Sequence, residues 1–185
     1  MSLKELTKEK HQDAERTEFA KLLLSGKISK EMYGLYLAQM LEVYGKLEYY
    51  CVKAELLKDL PGLGRALYIF EDLKELDIPL TGIKILEATS AYSEYLAALA
   101  EDETKHHLLM AHLYVRHMGD LYGGQMIAKK VPGSGKFYQF RNKEELIGKI
   151  RAKLTDDLGD EANVAFDHAI AIMKELNESS LEQTS

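Results

Sequence analysis

Proline is almost missing from this chain. It occurs only at positions 61, 79 and 132, and the intervals between are filled with Leu, Ala, Glu, Lys and Met, with apolar residues returning every third or fourth position. Proline removes a backbone donor and breaks helix interiors, so its scarcity permits long helices, while the three-to-four period demands them if one face is to be buried. An all-α fold is therefore expected. Helices are predicted at about residues 2–13, 17–25, 29–58, 64–75, 82–99, 102–129, 142–156 and 159–177. Cap chemistry marks several starts: Ser29 before Lys30 and Glu31, Thr81 after Pro79, Asp102, and Asn142 before Glu144 and Glu145. A length of 185 residues suits one domain with a substantial core. The expected layout is a domain over 1–178 and a polar tail over 179–185. The one extended Gly/Pro-rich loop holds Gly133-Ser-Gly-Lys136. Phe137 stands where a phosphate loop needs Ser or Thr and no strand precedes it, so it reads as an interhelical turn.

Several classes are disfavoured by composition. Cys51 is the only cysteine and can form neither an internal disulfide nor a Cys-rich metal site, which points to a reducing compartment and a packing role. The charged N-terminal stretch lacks the apolar run of a signal peptide, and the close is polar, so a soluble, cytoplasmic protein is expected. A net charge of −6 argues against nucleic acid and anionic membrane as partners. That charge is uneven. Residues 1–30 carry +2 and residues 129–153 carry +6, leaving −14 for the remaining 130 residues. Two basic stretches in an acidic chain suggest a local anionic ligand or partner.

Two constellations carry chemistry. Gly119, Gly123 and Gly124 fall within six residues of the predicted 102–129 helix. Mid-helix glycines forfeit roughly 0.5–1 kcal/mol each relative to alanine, or on the order of 2–3 kcal/mol together. Gly119 and Gly123 are four apart and bare the backbone of one face, so that a flat object or another helix can approach. A helix crossing or a helix break is the plainer explanation of glycine alone. Asp120 shifts the balance, because a carboxylate beside a face without side chains is costly to bury without a partner, and Arg116 one turn earlier suits that role. The second constellation is Lys4, Lys8, His11 and Glu15, spaced four, three and four along one helical stripe. A neutral imidazole ligates iron well, a carboxylate one turn on can orient it, and two lysines suit an anion. A solvated helix face is the ordinary alternative.

Other patterns offer less. Glu103 and His106 make an E-x-x-H, half of a di-iron carboxylate signature, without a second copy. His106, His107, His112 and His117 do not share a helix face. Tyr33, Tyr36, Tyr44, Tyr49 and Tyr50 read as packing residues. No nucleophile with an adjacent base and no Gly-x-Ser-x-Gly elbow occurs.

These residues resemble the haem oxygenases. The run from His112 to Gln125, His-Leu-Tyr-Val-Arg-His-Met-Gly-Asp-Leu-Tyr-Gly-Gly-Gln, is similar to that family's distal-helix signature. Leu3 to Glu15 is similar to its proximal helix, and weaker similarity runs from Arg65 to Leu73 and from Glu161 to Phe166. The resemblance implies a single all-α domain with haem b, both substrate and prosthetic group, between the first helix and a kinked distal helix. It implies His11 as the iron ligand, oriented by Glu15, with no separate metal site. Lys4 and Lys8 match residues meeting the haem propionates, as do Tyr114 and Arg151, and Phe166 matches a residue packing on the haem. Gly119 and Gly123 would lie against the porphyrin, and Gly124 would permit the kink. Asp120 matches the residue holding a water network on the oxygen side, with Tyr44, Tyr95 and Arg116 matching its hydrogen-bond neighbours.

The activity so implied is cleavage of haem by O₂ to biliverdin, carbon monoxide and ferrous iron. The expected partners are reduced ferredoxin or another electron donor and a downstream biliverdin-consuming reductase, and a monomer is the expected state. The basic 129–153 segment, with Lys4 and Lys8, would form a docking rim for an acidic donor. Three positions depart from the family pattern: Tyr122 replaces a common Ser, His117 a usual Tyr, and Ile147 stands where many members carry a propionate-binding Lys, with Lys149 on a different face. A haem carrier without turnover would not require Asp120, and the single E-x-x-H makes a di-metal oxidase the weaker alternative.

Overall fold

The computed structural model describes residues 1–184, in which ten α-helices and no strand occur. The predicted first helix is two: α1 (Leu3–Leu6) and α2 (Lys8–Glu15), joined at Thr7. Ser2 and Glu5 form a reciprocal capping box at its start. Thr7 turns its hydroxyl onto the Leu3 carbonyl at 2.9 Å, yet His11 N–H still reaches the Thr7 carbonyl, so helical hydrogen bonding continues across the junction. α3 (Glu18–Ser25) starts at the Thr17 cap and ends at Gly26, whose φ of 73° is the left-handed conformation glycine tolerates.

α4 (Lys30–Lys53) is the central element, capped by Ser29 as predicted. It buries Met32, Tyr33, Tyr36, Leu37, Met40, Val43, Tyr44, Leu47 and Cys51, and packs against α5 (Ala66–Glu75), α6 (Glu87–Glu101) and α7 (Leu109–Leu113). α4 stops at Lys53, short of the predicted 58, where Glu55 turns to φ 58°. α6 begins at Glu87, five residues later than predicted, and Thr81 does not cap it. Gly82 at φ 86° interrupts the segment, and buried Gln39 holds it extended by bonding Lys84 O and Leu86 N. The free amides of Glu87 and Ala88 are met instead by Glu175, at 3.1 and 2.8 Å.

The predicted 102–129 helix is four segments: a 3₁₀ stretch Glu103–Leu108, α7, a π-turn Tyr114–Met118, and α8 (Gly119–Ala128). Asp102 accepts from Thr104 N–H, so its cap serves the 3₁₀ stretch. After α8, the 131–136 loop is a turn whose amides are taken by α5: Glu75 accepts from Ser134, and Asp72 from Lys136 and Phe137. α9 (Lys143–Lys153) follows Asn142, whose side chain bonds Pro61 O instead of capping. α10 (Gly159–Thr184) extends past the predicted 177 through the segment expected as tail, and Ser185 lies outside the described residues. Within residues 1–184 no helix is long and apolar enough to cross a membrane. Cys51 is wholly buried, and burial pushes its thiol pKa up, as suits packing.

Candidate functional site

Two elements carry the singled-out residues, and α10 and α3 connect them. α2 packs on α10 and α3, while α8 packs on the π-turn, α3 and the 3₁₀ turn Lys136–Tyr138, and α10 also supports the π-turn. On α2 the His11 imidazole is exposed, with Nε2 at 3.3 Å from Glu15 Oε1. A half-turn of the ring exchanges its two nitrogens, so one can face the carboxylate and leave the other free. Phe166 of α10 is buried against it, ring centres 5.7 Å apart. Lys4 and Lys8 are exposed and, among the described residues, enter no ion pair.

On α8, a Cβ built at Gly119 or Gly123 would meet nothing within 4 Å. These two glycines bare a face that no protein atom fills, room suited to a flat ligand. Gly124 differs: its Cβ would land 2.7 Å from Tyr138 Cδ1. Its role is close packing on that buried ring. The irregular turn of this stretch is the π-turn upstream, and α8 runs unbroken through all three glycines, so no break falls at Gly124.

Asp120, between the glycines, is half-buried and accepts from the Tyr44 hydroxyl. Burial raises its carboxyl to a pKa of about 6, against the opposing pull of Tyr44, Arg116, His117 and Arg65. Arg116, expected as its partner, makes no ion pair with it. The guanidinium lies 5.4 Å over the Tyr44 ring and donates from Nη2 toward Met40 Sδ at 2.7 Å, so it acts on Asp120 through its field. The reason is the π-turn, which buries Arg116 and His117 together and turns the arginine onto α4. Arg116 Nε and His117 Nδ1 are buried without hydrogen-bond partners among the described residues.

Tyr95 is not in this group. Its hydroxyl donates to Glu161 Oε1 at 2.7 Å, in a second cluster where His112 contacts Glu161 at 2.8 Å and Tyr92 at 2.6 Å. Tyr95 lies on α6 facing α10, which directs it to Glu161 instead of Asp120. Arg151 on α9 donates to the Tyr122 hydroxyl, so the Tyr122 departure supplies a partner for a predicted ligand residue. Tyr114 is half-buried at the start of the π-turn, and Ile147 is core. Lys149 pairs with Glu145 at 2.6 Å and Lys153 with Asp59 at 2.8 Å.

Two residues missed by sequence reasoning support the site. Glu48 accepts from His117 Nε2 at 3.0 Å and from the amides of Arg65 and Ala66, capping α5. It follows Tyr44 by four residues on one helix face, which is the signal that could have found it. Arg65 is 1% exposed and bonds the carbonyls of Gly62, Leu63, Gly64, Phe137 and Gln139, tying the start of α5 to the turn beneath Gly124. No local pattern announces that role.

An all-α fold with an imidazole–carboxylate pair on its first helices and a glycine-bared, Asp-bearing helix beyond is the arrangement that the resemblance in sequence implied. The haem (heme) oxygenase family model matches residues 1–175, and the chain belongs to that family. It is 31% identical to heme oxygenase 2 of Mus musculus over 96% of this chain, and it spans 65% of that relative's length. The heme oxygenase of Porphyra purpurea is also 31% identical, over 96% of this chain and 86% of its own. Among solved structures, heme oxygenase-1 from Synechocystis in complex with heme superposes with a TM-score of 0.84 at 26% identity, covering 98% of this chain and 93% of that one. Heme oxygenase from Leptospira interrogans gives 0.83 at 26% identity, over 95% and 100%.

Proposed function

We propose that the chain binds haem b between α2 and α8 and cleaves it with O₂ to biliverdin, chiefly the IX-alpha isomer, releasing carbon monoxide and ferrous iron. Reduced ferredoxin is the proposed electron donor, and a biliverdin-consuming reductase the proposed downstream partner. The observation that carries this reading is the open face at Gly119 and Gly123 flanking a carboxyl whose pKa is raised to about 6. Haem, when bound, supplies the iron that activates O₂ and the ring carbon that is oxidised.

The protein's own part is positioning and proton control. His11 is the group to hold the iron, with Glu15 orienting its ring and Phe166 restricting ring rotation. Lys4 and Lys8, free of ion pairs among the described residues, would suit carboxylate substituents at the ligand's edge, and Tyr114 and Arg151 would take the same role. The bare backbone at Gly119 and Gly123 would let a flat ligand approach α8 closely, and that close approach would restrict access to it from this side. Asp120, gripped by Tyr44 on one side and half-open on the other, is placed to hold a water there and to take or return its proton. A nearly neutral midpoint lets it do both near physiological pH.

The test is direct. Hemin, a reductant and O₂ added to the purified protein should replace the Soret band with biliverdin absorption and release carbon monoxide. A Soret band that forms and persists would show a haem carrier and overturn the enzymatic reading.

A further inference from the structure

His117 sits in the π-turn with no exposed surface, where its Nε2 faces Glu48 Oε1 at 3.0 Å. Glu48 is itself fixed. Burial pushes its carboxyl pKa up, but the bonds from His117, Arg65 N–H and Ala66 N–H hold it below the ordinary value. Its position at the N-terminus of the ten-residue α5 adds the favourable end of the helix dipole. An ionised Glu48 requires a proton on His117 Nε2. The other nitrogen, Nδ1, is buried with no hydrogen-bond partner among the described residues, so Glu48 alone fixes the ring by hydrogen bonding. On its far side the imidazole packs on the Tyr44 ring, centres 4.9 Å apart and planes at 55°, and Tyr44 donates to Asp120. Glu48, His117, Tyr44 and Asp120 thus form one continuous chain of contacts from the start of α5 to the glycine-bared face.

We propose that His117, held by Glu48, is a positioning residue for Asp120: it fixes the Tyr44 ring whose hydroxyl grips this carboxyl. The proposal rests on the reading of Asp120 as the ligand-side carboxyl. The groups facing Asp120 are Tyr44, Tyr36 and Tyr33 from α4, Arg116 and His117 from the π-turn, Arg65 ahead of α5, and Tyr138 from the following turn. Of the elements packed on the π-turn, α7 presents His112 and α10 Glu161, bonded to one another, and α9 presents Arg151, engaged with Tyr122. The Tyr44 bond is the largest of the influences that favour the ionised carboxyl against burial, so a Tyr44 ring that loses its support from His117 leaves Asp120 harder to ionise.

The experiment reads the carboxyl directly. Apoprotein carrying ¹³C-labelled aspartate carboxyls is titrated by NMR, with the Asp120 resonance assigned by its loss in Asp120→Asn. In His117→Phe and His117→Tyr the Asp120 midpoint should rise by about half a unit to one unit relative to the unsubstituted protein. Should the Phe variant not fold, the Tyr variant carries the measurement. With hemin bound, the acidic limb of the biliverdin pH–rate profile should move in the same direction by the same amount. An unchanged Asp120 midpoint in the folded variants overturns the proposal and leaves His117 a packing residue. Because the titration needs no haem, that failure is separate from a failure of the hemin assay, which would remove the enzymatic reading alone.

Discussion

Among the described residues Asp120 has one hydrogen bond from a side chain, that of the Tyr44 hydroxyl, and its remaining control comes from burial and from charges that form no ion pair with it. Two expectations follow for this residue. Asp120→Ala should still bind hemin, since no predicted iron ligand is lost, but should form no biliverdin; a variant that turns over at the unsubstituted rate would remove Asp120 from the mechanism. The second concerns pH. The folded-state pKa is raised from 3.8 to about 6, so between these values the folded protein holds a proton that the unfolded chain has released. The residue's contribution to stability is full below the unfolded value and is lost as pH rises through about 6. Asp120→Asn, neutral throughout, escapes that loss. Its Tm relative to the unsubstituted apoprotein should therefore improve from pH 4.5 to pH 7.5, by a stability difference of about 1 kcal/mol given the half-open position. A constant or worsening difference would show that the carboxyl is not raised. At this scale the sequence was a good guide where partners are local. His11 and Glu15, one helical turn apart, do meet. It was poor where partners are remote: Tyr95 finds Glu161, 66 residues away, and Arg116 is turned aside by the π-turn.

The π-turn also explains the limits of legibility among elements. Helical periodicity detects the whole 102–129 stretch but cannot register one widened turn, because the cause is tertiary: two large polar side chains, Arg116 and His117, are buried in succession. The start of α6 depended likewise on Gln39, 47 residues from the amide it satisfies, and on Glu175, 88 and 87 residues from its two. Ser29, whose bond to Met32 N–H is local, was placed correctly. Within α8 the three glycines separate by what lies over them. Alanine at Gly119 or Gly123 meets no protein atom, so the apoprotein should gain about 0.5–1 kcal/mol from helix propensity. The same methyl intrudes on the ligand face and should weaken hemin binding by about tenfold or more. Gly124→Ala should instead cost the apoprotein about 1–3 kcal/mol, because its Cβ collides with the buried Tyr138 ring. Thermal melts of the three apoproteins with hemin titrations check this. Destabilisation by the Gly119 or Gly123 substitution would mean that the face is already filled by protein.

Across the whole molecule, the all-α class was legible because it needs only proline scarcity and period, properties of the chain that no distant contact can reverse. Charge distribution was legible only as a sum. The 129–153 segment carries +6 in sequence, but folding brings Asp59 onto Lys153 at 2.8 Å and Glu71 onto Lys136 at 3.7 Å, reducing its local charge to +4. Lys149 is occupied by Glu145 inside the segment. A cation within an ion pair presents a dipole to an approaching partner, and its pull fades faster with distance than that of a free charge. Lys129, Lys130, Arg141 and Lys143, which form no ion pair among the described residues, are therefore the better candidates for steering an acidic electron donor, together with Lys4 and Lys8. Reversing Lys129 and Lys143 to glutamate should lower the rate of ferredoxin-supported turnover several-fold at low salt and flatten its dependence on ionic strength. Reversing Lys149 and Lys153 is a less clean probe, since it also leaves Glu145 and Asp59 facing new like charges. Turnover driven by a small neutral reductant supplies the control and should be unaffected by the Lys129 and Lys143 changes. An unaltered salt dependence with ferredoxin would mean that this basic segment does not meet the donor.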